Sequence, residues 1–247
     1  LALTGLIFSL TLTATDYNFW LAFLASVTTG VACGLFVGFL VTKLGFSSLI
    51  TTLGVNFMFA GITQVLNKGQ LRQFPKFDDS PIRAAVVGSW GPIPAQLIWG
   101  LGIALILGII FNRHRFGIHV HIAGDNPEAG RAMGVNISRV KVLCFVLVGV
   151  CCSITSTISI LMNSTYYSTM GEGYLLPVLA AVFVGGTPVT GGKGTIAGLV
   201  IGATTVVFIN TGVVAVGLDG YYTGLGFGLV IILSLLGHRA LSGRLSR

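Results

Sequence analysis

Eight apolar stretches, separated by short polar segments, constrain the fold of this chain more than any other feature. They fall at about 1–14, 20–43, 46–66, 95–112, 142–163, 174–187, 195–216 and 221–237. A helix needs roughly 20 apolar residues to cross the hydrocarbon core of a bilayer, and fewer where it is short or broken. Only 9% of the residues are charged and 53% are hydrophobic, whereas soluble domains carry roughly 25% charged residues. The 35 glycines fit the same reading, because membrane helices tolerate Gly and Pro that neighbouring helices re-satisfy. The expectation is an all-α, polytopic helical membrane protein with about eight spans. With 247 residues it forms a single transmembrane domain over 1–247 and leaves no room for a sizeable soluble one. Two stretches are weaker. The one at 46–66 carries Asn56 and Gln64 and runs into Asn67; the one at 174–187 is short, holds Pro177 and ends in Gly185-Gly186-Thr187-Pro188.

Charge orients the spans. With residues 113–141 placed in the cytoplasm, alternation puts ten of the fourteen Lys and Arg residues on that side: Lys43, Arg113, Arg115, Arg131, Arg139, Lys141, Lys193, Arg239, Arg244 and Arg247. The other side receives four cations and five of the seven acids (Asp16, Asp78, Asp79, Glu172 and Asp219). Cytoplasmic loops of membrane proteins are enriched in Lys and Arg, so the C-terminus is expected in the cytoplasm. The same bias accounts for the net charge of +7 without nucleic acid as a partner. The segment 67–94, rich in Pro, Gly and charge with Trp90 near an interface, reads as an extracytoplasmic loop with a short surface helix. The chain opens inside an apolar run without Met; the expectation is that the first part of a longer protein precedes it.

Residues 113–141, RHRFGIHVHIAGDNPEAGRAMGVNISRVK, form a basic segment between two apolar runs, with a short helix at Asn126–Gly134. Such a loop is where a membrane protein meets a soluble partner. Other motifs carry no chemistry. Pro188 to Thr195 contains Gly-Gly-Lys-Gly-Thr, but the phosphate loop needs Gly-Lys followed directly by Ser or Thr, and Gly194 intervenes. It reads as a Gly-rich turn between two helices, and the chain does not itself bind ATP. His114, His119 and His121 lack further ligands at metal spacing and read as interfacial. Cys33, Cys144, Cys151 and Cys152 lie in apolar runs and behave as small hydrophobes. No nucleophile elbow or carboxylate pair is present, so no enzyme activity and no cofactor are expected.

Polar residues inside a membrane are costly and tend to be functional. Asn56, Gln64, Asn163 and Asn210 qualify, with hydroxyls around Ser153–Ser159; Tyr174 and Thr187 flank the short stretch. All are neutral, which suits a polyhydroxylated or other neutral solute better than an ion. Asn, Gln, Ser and Thr also bridge neighbouring helices, and the residues alone leave that alternative open. Tyr166, Tyr167, Tyr174, Tyr221 and Tyr222 read as an interface belt.

The C-terminal half has a distinctive order of parts. Gly171-Glu172-Gly173-Tyr174 precedes Ala180-Ala181-Val182-Phe183-Val184-Gly185-Gly186-Thr187. Then come Gly191-Gly192-Lys193-Gly194-Thr195-Ile196-Ala197-Gly198, Ile201-Gly202-Ala203, and Gly217-Leu218 before Tyr221-Tyr222. This resembles the permease subunits of bacterial ABC importers of the ribose/monosaccharide type, within the group that also holds branched-chain amino acid permeases. The likeness covers roughly 120–240. Leu175 and Pro177 stand where many sugar permeases carry acids. Leu1-Ala2-Leu3-Thr4 resembles the family's third span, which implies that about eight of ten spans of a type II-importer-like permease lie here.

The resemblance makes 113–141 the cytoplasmic coupling loop between the sixth and seventh spans. It assigns ATPase coupling to Asp125, Asn126, Glu128, Ala129, Arg131, Ala132, Met133 and Gly134. Glu128 sits in the first turn of a helix, where the macrodipole favours an anion, and Pro127 suits a helix start. Ala129, Ala132 and Met133 form a small apolar face for the ATPase. The implied partners are two ATP-binding cassette subunits, a second permease copy or homologue, a periplasmic solute-binding protein and the lipid of the bacterial inner membrane. The implied cargo is a sugar, polyol or similar neutral solute. An amino acid, a nucleoside or a signalling furanose stands as the alternative cargo, and an ATPase-independent transporter or channel as the alternative mechanism.

Overall fold

All eight apolar stretches form helices in the computed structural model. The structure describes residues 1–74, 81–188, 191–217 and 219–245, with the backbone alone at 90 and 235–245. The helices from the apolar stretches are α1 (Ala2–Ala14), α2 (Phe19–Lys43), α3 (Ser48–Asn67), α5 (Ala95–Arg113), α8 (Ile137–Asn163), α9 (Leu175–Val184), α10 (Ile196–Ala215) and α11 (Tyr221–Leu245). Three further helices lie in the polar segments: α4 (Pro81–Val87), α6 (Arg115–Asp125) and α7 (Pro127–Ala132). Among the described residues, five helices (α2, α3, α5, α8 and α10) are long and apolar enough to cross a membrane. The expected eight thus divide by length. The 10 residues of α9 reach about 15 Å, half the roughly 30 Å of a hydrocarbon core. Its apolar stretch fails to continue because Gly185 and Gly186 end it. The apolar helix at Ala2–Ala14 is shorter than a full span as well, and the fully described apolar part of α11 is Tyr221–Ser234.

The chain divides into two compact units, residues 1–101 with 138–171, and residues 102–137 with 172–247. In the first, α1 packs on α2 and α3. Leu6, Phe8, Leu12, Phe19, Ala22, Phe74, Ile160, Leu161, Tyr166 and Met170 form its main core. Tyr166 is fully buried, which corrects its placement in an interface belt. Its hydroxyl donates to the Ala2 carbonyl at 3.1 Å, and burial pushes the phenol up to about 12. Two short antiparallel ribbons complete the described strands. β1 (Arg72–Gln73) pairs with β4 (Thr165–Tyr166), and β2 (Ser89–Trp90) with β3 (Ile93–Pro94).

Close helix approach holds this unit together. Gly30, Gly34 and Gly38, one turn apart on α2, face Gly149, Phe145, Val146 and Val142 on α8. A Cβ on Gly30 would meet the Ser153 hydroxyl and the Gly149 carbonyl, so the two backbones touch. In lipid such contact is the main source of helix association, because apolar area gains little from one helix leaving lipid for another. A ladder of hydroxyls lies beside it. Thr4 and Ser156 share a hydrogen bond at 3.1 Å, Ser26 donates to the Thr4 carbonyl at 3.1 Å, and Ser153 donates to the Ser26 carbonyl at 2.9 Å. Ser153 and Ser156 are fully buried. These hydroxyls therefore bridge helices, the second of the two readings left open by the sequence.

In the second unit α9 packs against α10 and α11. Gly185 meets the Gly198 carbonyl, and Gly202 meets the Ala181 carbonyl, so α9 and α10 cross backbone to backbone. Ser234 of α11 donates to the Phe183 carbonyl at 2.9 Å. The half-length helix is clamped on two sides.

Candidate functional site

Between α5 and α8 the basic segment holds two helices, α6 and α7, joined at one capping residue. At its start, His114 Nδ1 accepts from the Phe116 amide at 3.1 Å, and the Phe111 and Phe116 rings meet edge-on at 6.2 Å. Gly117 passes so close to the Phe111 carbonyl that a Cβ would collide with it. This corner fixes α6, which the alternation of Ile118-His119-Val120-His121 does not suggest.

Asn126 is both the C-cap of α6 and the N-cap of α7. Its side-chain oxygen accepts from the amides of Glu128 and Ala129 at 3.1 and 3.0 Å, which satisfies two amides at the helix start that lack intrahelical partners. Pro127 occupies the first turn, where its missing N–H is no loss. At the other end Val135 N donates to Gly130 O and Gly134 N to Arg131 O, both at 3.0 Å, with Gly134 at φ +80°. That is a Schellman closure. A six-residue helix is marginal alone; here both ends are capped and Gly130 is pinned beneath. A Cβ on Gly130 would stand 2.9 Å from Ile122 and 3.0 Å from Ile137.

The eight residues assigned to coupling by resemblance, Asp125, Asn126, Glu128, Ala129, Arg131, Ala132, Met133 and Gly134, are all exposed, Met133 to 63%. Gly130, Val135, Ile137 and Val140 are buried. Ala129, Ala132 and Met133, at spacings of three and four, lie on one side of α7 as helical geometry requires. Replacing Asn126 with Ala is expected to cost about 1 kcal/mol of local helix stability. Faster amide hydrogen exchange at Glu128 and Ala129, with unchanged exchange in α10, would register it.

The neutral polar residues are distributed differently. Asn56 and Gln64 are exposed on α3, two turns apart, and Asn210 is exposed on α10. None of the three side chains hydrogen-bonds to a described residue. Asn163 is exposed at the end of α8 and donates back to the Ser159 carbonyl at 2.9 Å. Tyr174, half exposed, stands at the N-cap position of α9 without a side-chain capping bond. Thr187 lies past the end of α9, where its hydroxyl borders Gly194. Among the described residues no group of three or more His, Cys, Asp or Glu is placed to hold a metal. Of the Pro188–Thr195 turn, Val189 and Thr190 lie outside the described residues, and so does the side chain of Trp90.

A capped short helix thus lies in a basic segment between two long apolar helices. The family model for the permease component of branched-chain amino acid transport systems matches residues 1–235. The chain belongs to this family. The permease is 31% identical over 244 residues to the ribose import permease of Escherichia coli (strain K12), covering 96% of this chain and 74% of that protein. It is 30% identical over 243 residues to the D-allose transport system permease of the same strain, covering 98% and 73%. An autoinducer 2 import system permease of Klebsiella pneumoniae is 26% identical over 235 residues, 94% of this chain and 70% of that one. No solved structure matches. The permease is thus a multi-pass membrane protein and a transport component rather than an enzyme.

Proposed function

We propose that the permease is the membrane subunit of an ATP-driven importer for a sugar, polyol or similar neutral solute. The carrying observation is α7, rigidly capped at both ends and presenting Ala129, Ala132 and Met133 outward beside Glu128 and Arg131. Small side chains admit close approach to a cleft, and the flanking charges pair with a polar partner surface. In this reading an ATP-binding cassette subunit docks on 113–141, on the cytoplasmic face of the bacterial inner membrane. The C-terminus lies on the same side, following the excess of Lys and Arg there. α9 is a short, broken element, tolerated because one side of it packs on α10 and α11. A periplasmic binding protein delivers solute from the other face.

The exposed Asn56, Gln64 and Asn210 support a neutral-solute pathway shared with a second permease copy. Lipid offers such amides no hydrogen bonds, and no described residue of this chain does either. The named cargoes of the relatives, ribose and D-allose, are polyhydroxylated and uncharged, in keeping with such a lining. Autoinducer 2 is a second cargo supported by a relative at lower identity. Purified binding protein from the same transport system should melt at higher temperature with D-ribose, D-allose or D-xylose; a shift with leucine alone would sink the sugar reading. Asn56→Leu or Asn210→Leu should lower the uptake rate roughly fivefold at unchanged membrane level, the lower end of ordinary coupling effects. Unchanged kinetics in both would remove these residues from the pathway.

A further inference from the structure

The coupling segment is joined, backbone to backbone, to the turn that follows the half-length helix. A Cβ on Gly124, in the last turn of α6, would collide with the Gly192 amide nitrogen and stand 3.0 Å from the Gly192 Cα. In return a Cβ on Gly192 would stand 2.8 Å from the Asp125 Cα. Beside this contact His121 Nδ1 lies 3.1 Å from the Gly192 carbonyl. The partner is a carbonyl, so the ring nitrogen donates and the imidazole carries its proton there. The turn itself is closed at its base, because Gly194 packs on the Thr187 hydroxyl, 2.7 Å from where its Cβ would be. Thr187 in turn donates its amide to the Val182 carbonyl of α9 at 3.1 Å.

We propose that Gly124, Gly192 and His121 form a transmission joint, through which displacement of α7 by the ATPase moves α9. The proposal rests on α7 being the ATPase-docking helix. Its physical basis is the absence of slack. Asn126 links α7 to α6 without an intervening linker, and close-packed backbones transmit displacement because they cannot be compressed. The path ends on α9, which is short and clamped and therefore moves as a unit. Gly124 and Gly192 are positioning residues in this scheme; neither need touch solute.

Gly124→Ala separates the joint from a structural role. Alanine favours helix over glycine by about 1 kcal/mol, so α6 is strengthened while the contact is forced open. In the complete importer, reconstituted in proteoliposomes, Gly124→Ala should retain the ATP-binding subunits and hydrolyse ATP. A reporter cysteine at Leu175 of α9, with Cys33, Cys144, Cys151 and Cys152 replaced, then reads the movement. Its maleimide labelling rate should change on trapping with ATP and vanadate in the parent, and should lose most of that change in Gly124→Ala. His121→Gln, which keeps a donor, should retain the change, and His121→Leu should lose it. Unaltered labelling changes in both Gly124→Ala and His121→Leu overturn the joint, as does a parent in which α9 labelling ignores ATP. If instead Ala129→Trp leaves the ATP-binding subunits bound and active, the docking assignment of α7 fails, and that result is distinct from failure of the joint.

Discussion

Ala129→Trp and Gly134→Leu should each leave the permease inserted and abolish ATP-driven uptake. The two act through different physics. Ala129 is exposed on α7, so an indole there meets no internal neighbour and obstructs only a docked partner. Gly134 sits at φ +80° with nothing within 4 Å of its Cβ position. Leucine there is strained by backbone conformation rather than by crowding, at about 1 kcal/mol or more. The strain opens the Schellman closure and loosens α7. Uptake should fall at least roughly tenfold, the loss of about 1.4 kcal/mol of coupling. The measurement is solute uptake together with ATPase stimulation by the binding protein in proteoliposomes. Normal values for both in either variant would remove α7 from the coupling role.

Gly34→Leu should have the largest effect on stability. A Cβ at this position already stands 2.7 Å from the Val146 Cα and collides with the Phe145 carbonyl. The obstacle is backbone, which cannot rotate away as a side-chain tip can. Overpacking a core costs about 1–3 kcal/mol where side chains can adjust; here α2 and α8 must separate, and the Ser153 bond to the Ser26 carbonyl breaks with them. The Ser153 hydroxyl keeps its bond to the Gly149 carbonyl, so the lost bridge adds only about 1 kcal/mol. The variant should be lost from the membrane fraction or melt well below the parent in detergent. Gly54→Leu on α3, where a Cβ meets nothing within 4 Å, is the control and should be close to neutral. Equal melting temperatures for Gly34→Leu and the parent would show that the α2–α8 contact contributes little.

The helices were largely legible in the sequence because apolar length is a local signal. The stretch at 95–112 became Ala95–Arg113, and 20–43 became Phe19–Lys43. The expected short helix in 67–94 is α4, and the one at 126–134 is α7. Errors fell where polar residues are helical. α8 begins at Ile137 rather than 142, since Arg139 and Lys141 extend the helix beyond its apolar part. α6 was hidden by an alternating pattern that points away from helix. Asn126 is assigned to coupling by the family resemblance alone, yet Asn before Pro-Glu is itself a readable N-cap signal. The Gly30, Gly34 and Gly38 spacing was readable too, as a small-residue repeat for helix contact.

Other features had no local signal. An aromatic near a span end suits a belt as well as a core, so only the three-dimensional packing separates Tyr166 from Tyr221, which is 93% exposed. Ser153 and Asn56 look alike as intramembrane polar residues. One bridges helices and the other is uncovered, because their neighbours come from distant parts of the chain. The Gly124–Gly192 contact has the same non-local origin, and neither glycine is unusual in a sequence with 35 of them.

The double duty of Asn126 sets the helical phase of the coupling segment. An α-helix turns by about 100° and rises about 1.5 Å per residue. One residue inserted between Asp125 and Asn126 would therefore swing Ala129, Ala132 and Met133 to a different side of the loop and detach the cap from α6. Under the proposed docking role, substitution at this place should grade the strength of docking, whereas a change of length should alter its direction. The segment behaves less like a flexible tether than like a keyed shaft, whose working part is the angle at which it presents its face.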